Sequence, residues 1–321
     1  MKQIKFWTLT IFAISLLLVS CGETVDESQV LVEYLESADS PIDVTKLNKL
    51  IKATELQTEI LTGNPYIIDI RGDEYNTLGH IDGAVQVAAT DVLSHLDALE
   101  NASSYSKIVV VCYTGQTSAY FVSLANMAGH NVWSLLWGMS AWNDATAGPW
   151  NNNIKNTYAT QLEITTNPKG EEGALPVIET GYETAEDILA ARIAEVNAAG
   201  FSPATITADV VWANPENYYI VNYWPLNQYE MGHITGAIQY TPGVDILTTS
   251  YLKTLPTDKP IVVYCYTGTG SAFLSAYLRV LNYDSRSLMF GINGMARDWA
   301  ADNQLTNWNE GHIAGNDLVT E

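Results

Sequence analysis

Two cysteines, Cys112 and Cys265, stand where an apolar run ends and a short Thr-Gly turn leads into a helical pattern, as CYTGQTSAYFVSLA and CYTGTGSAFLSAYL. A thiol so placed is chemically loaded. Backbone N–H groups of the turn and the positive end of the helix converge on the sulfur and favour thiolate over thiol, which makes a nucleophile. Gly115 and Gly268 supply the positive φ and close backbone approach that a cradle of inward-pointing amides requires. The walls of the cradle are then Tyr113, Thr114, Gly115, Gln116, Thr117 and Ser118 in one copy, and Tyr266, Thr267, Gly268, Thr269, Gly270 and Ser271 in the other. Ser118 and Ser271 either hydrogen-bond a bound anion or cap the helix, and Tyr113 and Tyr266 either wall the pocket or pack. An isolated Cys would read as a small buried residue. Two copies that differ at many positions, yet hold a Cys at the same step of the same loop, read as reactive.

Asp69 and Arg71 close an upstream apolar run and are either a support for the loop or a plain surface ion pair. His80 and His233 lie in GHIDGA and GHITGA, turns that lead into strands. One such His per unit predicts a structural residue rather than a metal ligand or an acid–base catalyst. Neither a metal nor a cofactor is expected.

The elements that must position these residues come as a duplication. His80 and His233, Cys112 and Cys265, and Trp142 of LLWGMSAW and Met295 of LMFGINGM are each separated by the same 153 residues. Each unit opens with a helical pattern ending in Ser-Pro and then alternates short apolar strands with amphipathic helices. KIVVV and PIVVY are unbroken apolar runs, as expected of parallel strands covered on both faces, so the fold class is α/β with a parallel sheet flanked by helices in each unit. The first domain is placed at 27–150 and the second at 183–310. Residues 151–182, rich in Asn, Thr, Gly and Pro, form a linker, and 311–321 a C-terminal tail. Trp137 and Trp142 are expected in the core.

The ordered set of a strand end (Asp-x-Arg in the first copy), GHI-x-GA, a six-residue loop opening with Cys and a closing G-x-x-x-W or a variant of it resembles a rhodanese domain, and the match covers most of the chain in two copies. The resemblance implies two rhodanese-like domains and a sulfurtransferase that carries sulfane sulfur as a persulfide on Cys. Its partners would be a small sulfur-containing donor, such as thiosulfate or polysulfide, and a thiophilic acceptor, with ping-pong covalent catalysis. The first copy keeps Asp69 and Arg71; the second has Asn222 and Trp224 at the same offsets, and its loop carries the additional Gly270, which predicts greater flexibility. Cys112 is therefore ranked above Cys265 as nucleophile. A cysteine phosphatase of the same fold needs an Arg six residues after the Cys to clamp phosphate, and Ser118 and Ser271 stand there instead. The non-enzymatic alternative is a redox-sensing or sulfide-binding protein that uses the domains as recognition modules.

The chain has 321 residues, 15 Lys and Arg against 36 Asp and Glu, and a formal charge of −21. Such a field repels a phosphate backbone, so nucleic acid is not a partner. Lys2 and Lys5 precede an apolar run from Phe6 to Val19 too short for a comfortable membrane span, which reads as a signal peptide over 1–20. Leu18, Val19 and Ser20 before Cys21 resemble a bacterial lipobox, which implies cleavage before Cys21, lipidation of its sulfur and a membrane anchor on the periplasmic side of the cell envelope.

Overall fold

The computed structural model describes residues 25–320; Cys21 and the signal peptide expected over 1–20 lie outside them. Strands β1 (Leu50–Ile51), β2 (Tyr66–Asp69), β3 (Val85–Gln86), β4 (Ile108–Val111) and β5 (Val132–Leu135) form a parallel sheet in the order β1-β5-β4-β2-β3. Strands β6 (Thr205–Ile206), β7 (Tyr219–Asn222), β8 (Ile238–Gln239), β9 (Ile261–Tyr264) and β10 (Ser285–Leu288) repeat that order in a second sheet, also parallel throughout. The unbroken apolar runs IVVV and IVVY are the central strands β4 and β9, and every residue in them is buried, because helices cover both faces.

The helices of the first half are α1 (Glu27–Leu35), α2 (Ala53–Thr62), α3 (Glu74–Thr77), α4 (Val92–Asp97), α5 (Gln116–Met127) and α6 (Gly148–Asn151). Those of the second are α7 (Ala185–Ala199), α8 (Ala208–Ala213), α9 (Leu226–Tyr229), α10 (Thr269–Val280) and α11 (Asn293–Asp302). Helices α5 and α10 follow the two cysteine loops. Eleven of the twelve residues in each are buried, more than one sheet face can cover. The second cover is the other domain: Ser123 on α5 donates to the carbonyl of Phe273 on α10 at 3.0 Å, and Phe121, Leu124, Phe273, Leu274 and Tyr277 belong to one core shared by both halves.

The segments after each unit cross over. Beyond α6 the chain runs onto the second domain, where Tyr158 N–H donates to Met295 O at 3.0 Å and Glu163 pairs with His233. Beyond α11 it returns to the first domain, where Asn316 N–H donates to Trp142 O at 2.9 Å and Val319 pairs with His80. Met295 and Trp142 are one repeat apart, as are His233 and His80, so the two arms occupy equivalent places on each other's domain. Trp308, from the end of the second unit, is buried in a first-domain cluster with Trp137, Trp142 and Trp150.

Candidate active site

Each cysteine sits at the C-terminal end of its sheet's central strand, directly after β4 or β9. The chain leaves the strand, turns through Gly115 at φ +85° or Gly268 at φ +79°, and enters α5 or α10. Both thiols are free and buried. The loop carbonyls are held from below by the segment that follows β5 or β10. Met139 N–H donates to Cys112 O at 2.8 Å, Ser140 N–H and Oγ reach Tyr113 O at 3.1 and 2.9 Å, and Trp150 Nε1 donates to Thr114 O at 3.1 Å. In the second domain Ile292 N–H donates to Cys265 O at 3.1 Å and Asn293 Nδ2 to Tyr266 O at 2.7 Å. With the carbonyls tied outward, the peptide planes turn amide hydrogens inward.

Those hydrogens meet the sulfur. At Cys112, Sγ accepts from Gly115 N–H at 3.2 Å and Ser118 N–H at 3.3 Å, and the Ser118 hydroxyl lies at 3.2 Å. At Cys265, Sγ accepts from Ser271 N–H at 3.3 Å, while the Ser271 hydroxyl stands 3.7 Å away and donates to Gly268 O at 3.1 Å. Amide and hydroxyl donors at these distances stabilise an anion on sulfur, and the first loop brings more of them than the second. Neither serine caps its helix; Gly115 and Gly268 occupy the cap positions, which rules out the capping reading.

The remaining loop residues divide between the pocket and its scaffold. Tyr113 is half-buried and donates to the Glu74 carboxylate; burial first, and then that bond, pushes its phenol up to about 12. Tyr266 lies flat on Trp224, ring centroids 5.1 Å apart, and donates to Gln228. Its phenol is raised chiefly by burial, with a contribution from the neighbouring Cys265, and Tyr223 is pushed up to about 12 by the same two causes among others. Thr114 and Thr267 close the turns, accepting from Gln116 Nε2 and Thr269 N–H, both at 3.1 Å. Thr117 and Gly270 hold the same step of α5 and α10. Gly270 is thus within the first turn of α10. Gln116 leaves its own loop: its Oε1 accepts from Phe290 N–H at 2.8 Å, in the floor beneath the other cysteine.

The surface-pair reading of Asp69 and Arg71 fails. Both side chains are enclosed, and Arg71 reaches Asp69 through Nε at 3.0 Å and Nη2 at 2.7 Å while also donating to Gly79 O at 2.9 Å. The pair ties the end of β2 to the turn that carries His80. In the second domain Asn222 donates to Tyr264 Oη at 2.7 Å and Trp224 packs edge-on against the same ring; a neutral aromatic cluster replaces the ion pair. The histidines are built into their turns. His80 stacks on Tyr75 at 3.7 Å and His233 on Tyr229 at 3.8 Å, each with Nδ1 on a backbone carbonyl. Burial drives the His233 imidazole toward its neutral form, against the pull of the facing Tyr229 carbonyl and of Glu163.

Ser134 and Ser287 escape a reading centred on the loops. They lie under the cysteines on β5 and β10, hydroxyl to hydroxyl with Ser118 at 2.7 Å and with Ser271 at 2.8 Å. A serine directly before the closing leucine of β5 and of β10, repeated at the 153-residue offset, is the available signal.

The family model described as a rhodanese-like domain matches residues 50–145 and again 208–301. A protein of Shewanella oneidensis named thiosulfate sulfurtransferase GlpE is 35% identical over 105 residues, spanning 32% of this chain and 92% of its own. Among solved structures, a rhodanese-like domain protein from Staphylococcus aureus is 28% identical with a TM-score of 0.27, covering 30% of this chain and 91% of that one. A thiosulfate sulfurtransferase from Pseudomonas aeruginosa is 15% identical with a TM-score of 0.30, covering 92% of this chain and 48% of its own.

Proposed function

The chain belongs to the rhodanese-like family, matched over both of its halves, and from that premise we propose that it is a sulfurtransferase in which Cys112 carries sulfane sulfur as a persulfide. The convergence of Gly115 N–H, Ser118 N–H and the Ser118 hydroxyl on one sulfur carries the proposal. The Cys112 thiolate attacks the outer sulfur of a donor; with thiosulfate, the S–S bond of the donor breaks, its electron pair leaves on sulfite, and a Cys–S–S⁻ anion remains. A thiophilic acceptor such as cyanide then attacks that outer sulfur, leaves as thiocyanate and returns the electron pair to the cysteine. No net oxidant or reductant is consumed. The loop amides favour the attacking thiolate and, after transfer, face the charge of the persulfide. Cys265 is the second candidate carrier, with fewer donors.

Intact mass after exposure to thiosulfate or polysulfide, followed by cyanide, tests the reading. A gain of one sulfur per competent cysteine, lost to cyanide and reduced more in Cys112→Ala than in Cys265→Ala, is the expected result. A thiol pair that takes up no sulfur from either donor would overturn it. Equal losses in Cys112→Ala and Cys265→Ala would overturn the ranking.

We also propose that the protein is exported and lipid-anchored through Cys21, on the support of Lys2, Lys5, the apolar run and the residues before Cys21. In a bacterial host, Cys21→Ala should then move the protein from the detergent phase to the aqueous phase, and an unchanged partition would sink the anchor.

A further inference from the structure

Gly270 occupies the second position of α10, where its backbone is helical and its φ needs no glycine. Glycine is a poor choice there on local grounds, because it weakens a helix that alanine would strengthen. A Cβ built on Gly270 would make ordinary contacts only: 3.4 Å to Asn48 Nδ2, 3.5 Å to Cys265 Sγ and 3.7 Å to Cys265 Cβ. The position therefore leaves a methyl-sized space whose walls are the reactive sulfur on one side and an amide of the other domain on the other. At the matching step of the first loop, Thr117 supplies a branched side chain. Asn48 is exposed, and among the described residues its side chain makes no hydrogen bond.

Resting on the sulfurtransferase reading, we propose that the space at Gly270 is the entry slot for sulfur at Cys265, and that Asn48, contributed by the first domain, is the positioning residue that holds the transferred sulfur. The donor class that suits it is a small organic persulfide. The Cys265 thiolate attacks the outer sulfur of R–S–SH, the donor's S–S bond breaks with its electron pair leaving on R–S⁻, and Cys265–S–SH forms. The Asn48 amide then donates to the transferred sulfur, where loop 2 offers fewer donors than loop 1. Cys112, with Thr117 at the corresponding place, admits sulfur by a narrower route.

The test combines two reagents on the full chain. Iodoacetamide labelling, resolved by peptide, reads access to each thiol without any sulfur chemistry; cysteine persulfide loading, resolved the same way, reads transfer. Gly270→Ala should slow both at Cys265 by about tenfold, as a small obstruction at a reacting atom does. It should leave Cys112 unchanged and raise or preserve the melting temperature. Gly270→Thr should slow them further, and Thr117→Gly should speed labelling of Cys112. Asn48→Leu should leave iodoacetamide labelling of Cys265 unchanged and slow persulfide loading, because it removes the amide donor to the transferred sulfur without adding a charge. Wild-type rates at Cys265 in Gly270→Ala would overturn the slot. If Cys265 of the unmodified chain labels with iodoacetamide in a Gly270-dependent way but never takes up sulfur, the slot stands and the transferase reading of Cys265 falls.

Discussion

Ser118 and Ser271 hold the same step of their loops and spend their hydroxyl hydrogens differently. The Ser118 oxygen is 3.2 Å from Cys112 Sγ, within reach of a bond to sulfur, whereas Ser271 turns toward Gly268 O and stands 3.7 Å from Cys265 Sγ. A hydrogen bond to a charged acceptor contributes about 1.5–3 kcal/mol, so its loss should slow the reaction of the Cys112 sulfur and not that of Cys265. Ser118→Ala should therefore slow alkylation of Cys112 at pH 7 by about tenfold, while Ser271→Ala leaves Cys265 within about twofold of its starting rate. Stopped-flow labelling of each thiol checks the pair, and a matched effect in both variants would show that the hydroxyl distances have no chemical consequence. The exchange of Asp69 and Arg71 for Asn222 and Trp224 follows a similar logic one layer out. Removing one member of a buried ion pair strands its partner, so the second domain differs at both positions at once. Tyr264, where the first domain has Val111, brings the hydroxyl that accepts from Asn222.

At the level of the elements, what could be read in advance was whatever leaves a periodic or repeated mark. The runs IVVV and IVVY announce buried parallel strands because both faces of β4 and β9 are covered, and the 153-residue repeat gives two equivalent cysteine loops and the turns of His80 and His233. The floor under each loop is half-legible. Gly138 at φ +61° and Gly291 at φ +52° let the chain pass directly beneath the cysteines, where a Cβ would come within 2.5 Å and 2.2 Å of Cys112 O and Cys265 O. The G-x-x-x-W pattern marks the place without showing that it carries the loop. Partnerships between the halves left no such mark. Helix α5 reads as an amphipathic helix, and nothing in its pattern says that α10 covers its second face. The bond from Gln116 to Phe290 and the approach of Asn48 to Gly270 join residues far apart in the chain, and neither residue type announces its partner. The buried setting of Asp69 and Arg71 was hidden for the same reason: their enclosure comes from the turn at Gly79 and the packing around it.

For the molecule as a whole, the crossed arms and the α5–α10 contact make two domains into one cooperative body. The first domain's tryptophan cluster is completed from the far end of the chain: Trp308 stacks on Trp150 with centroids 5.6 Å apart, packs on Trp137 at 5.4 Å, and donates through Nε1 to Asn151 at 2.7 Å. Trp150 in turn donates to the carbonyl of Thr114 in the Cys112 loop and meets Phe290 edge-on, in the floor of the Cys265 loop. A cavity opened at Trp308 therefore lies one side chain from both reactive loops. Truncation of a buried tryptophan costs about 3–5 kcal/mol, and in a chain of two independent domains that loss would fall on the second, to which residue 308 belongs by sequence. The crossed arrangement predicts the opposite address. In Trp308→Ala, native-state hydrogen exchange should accelerate first across β4, β5 and α6 of the first domain, and labelling of Cys112 should change more than labelling of Cys265. Loss of protection confined to β9 and β10 would mean that the returning arm does not support the first domain in solution. Fusion of this kind also explains why the two loops need not be alike: with the cores shared, each domain's stability is underwritten by the other, and the pair can diverge in charge, donor count and access at the two sulfurs while keeping one fold.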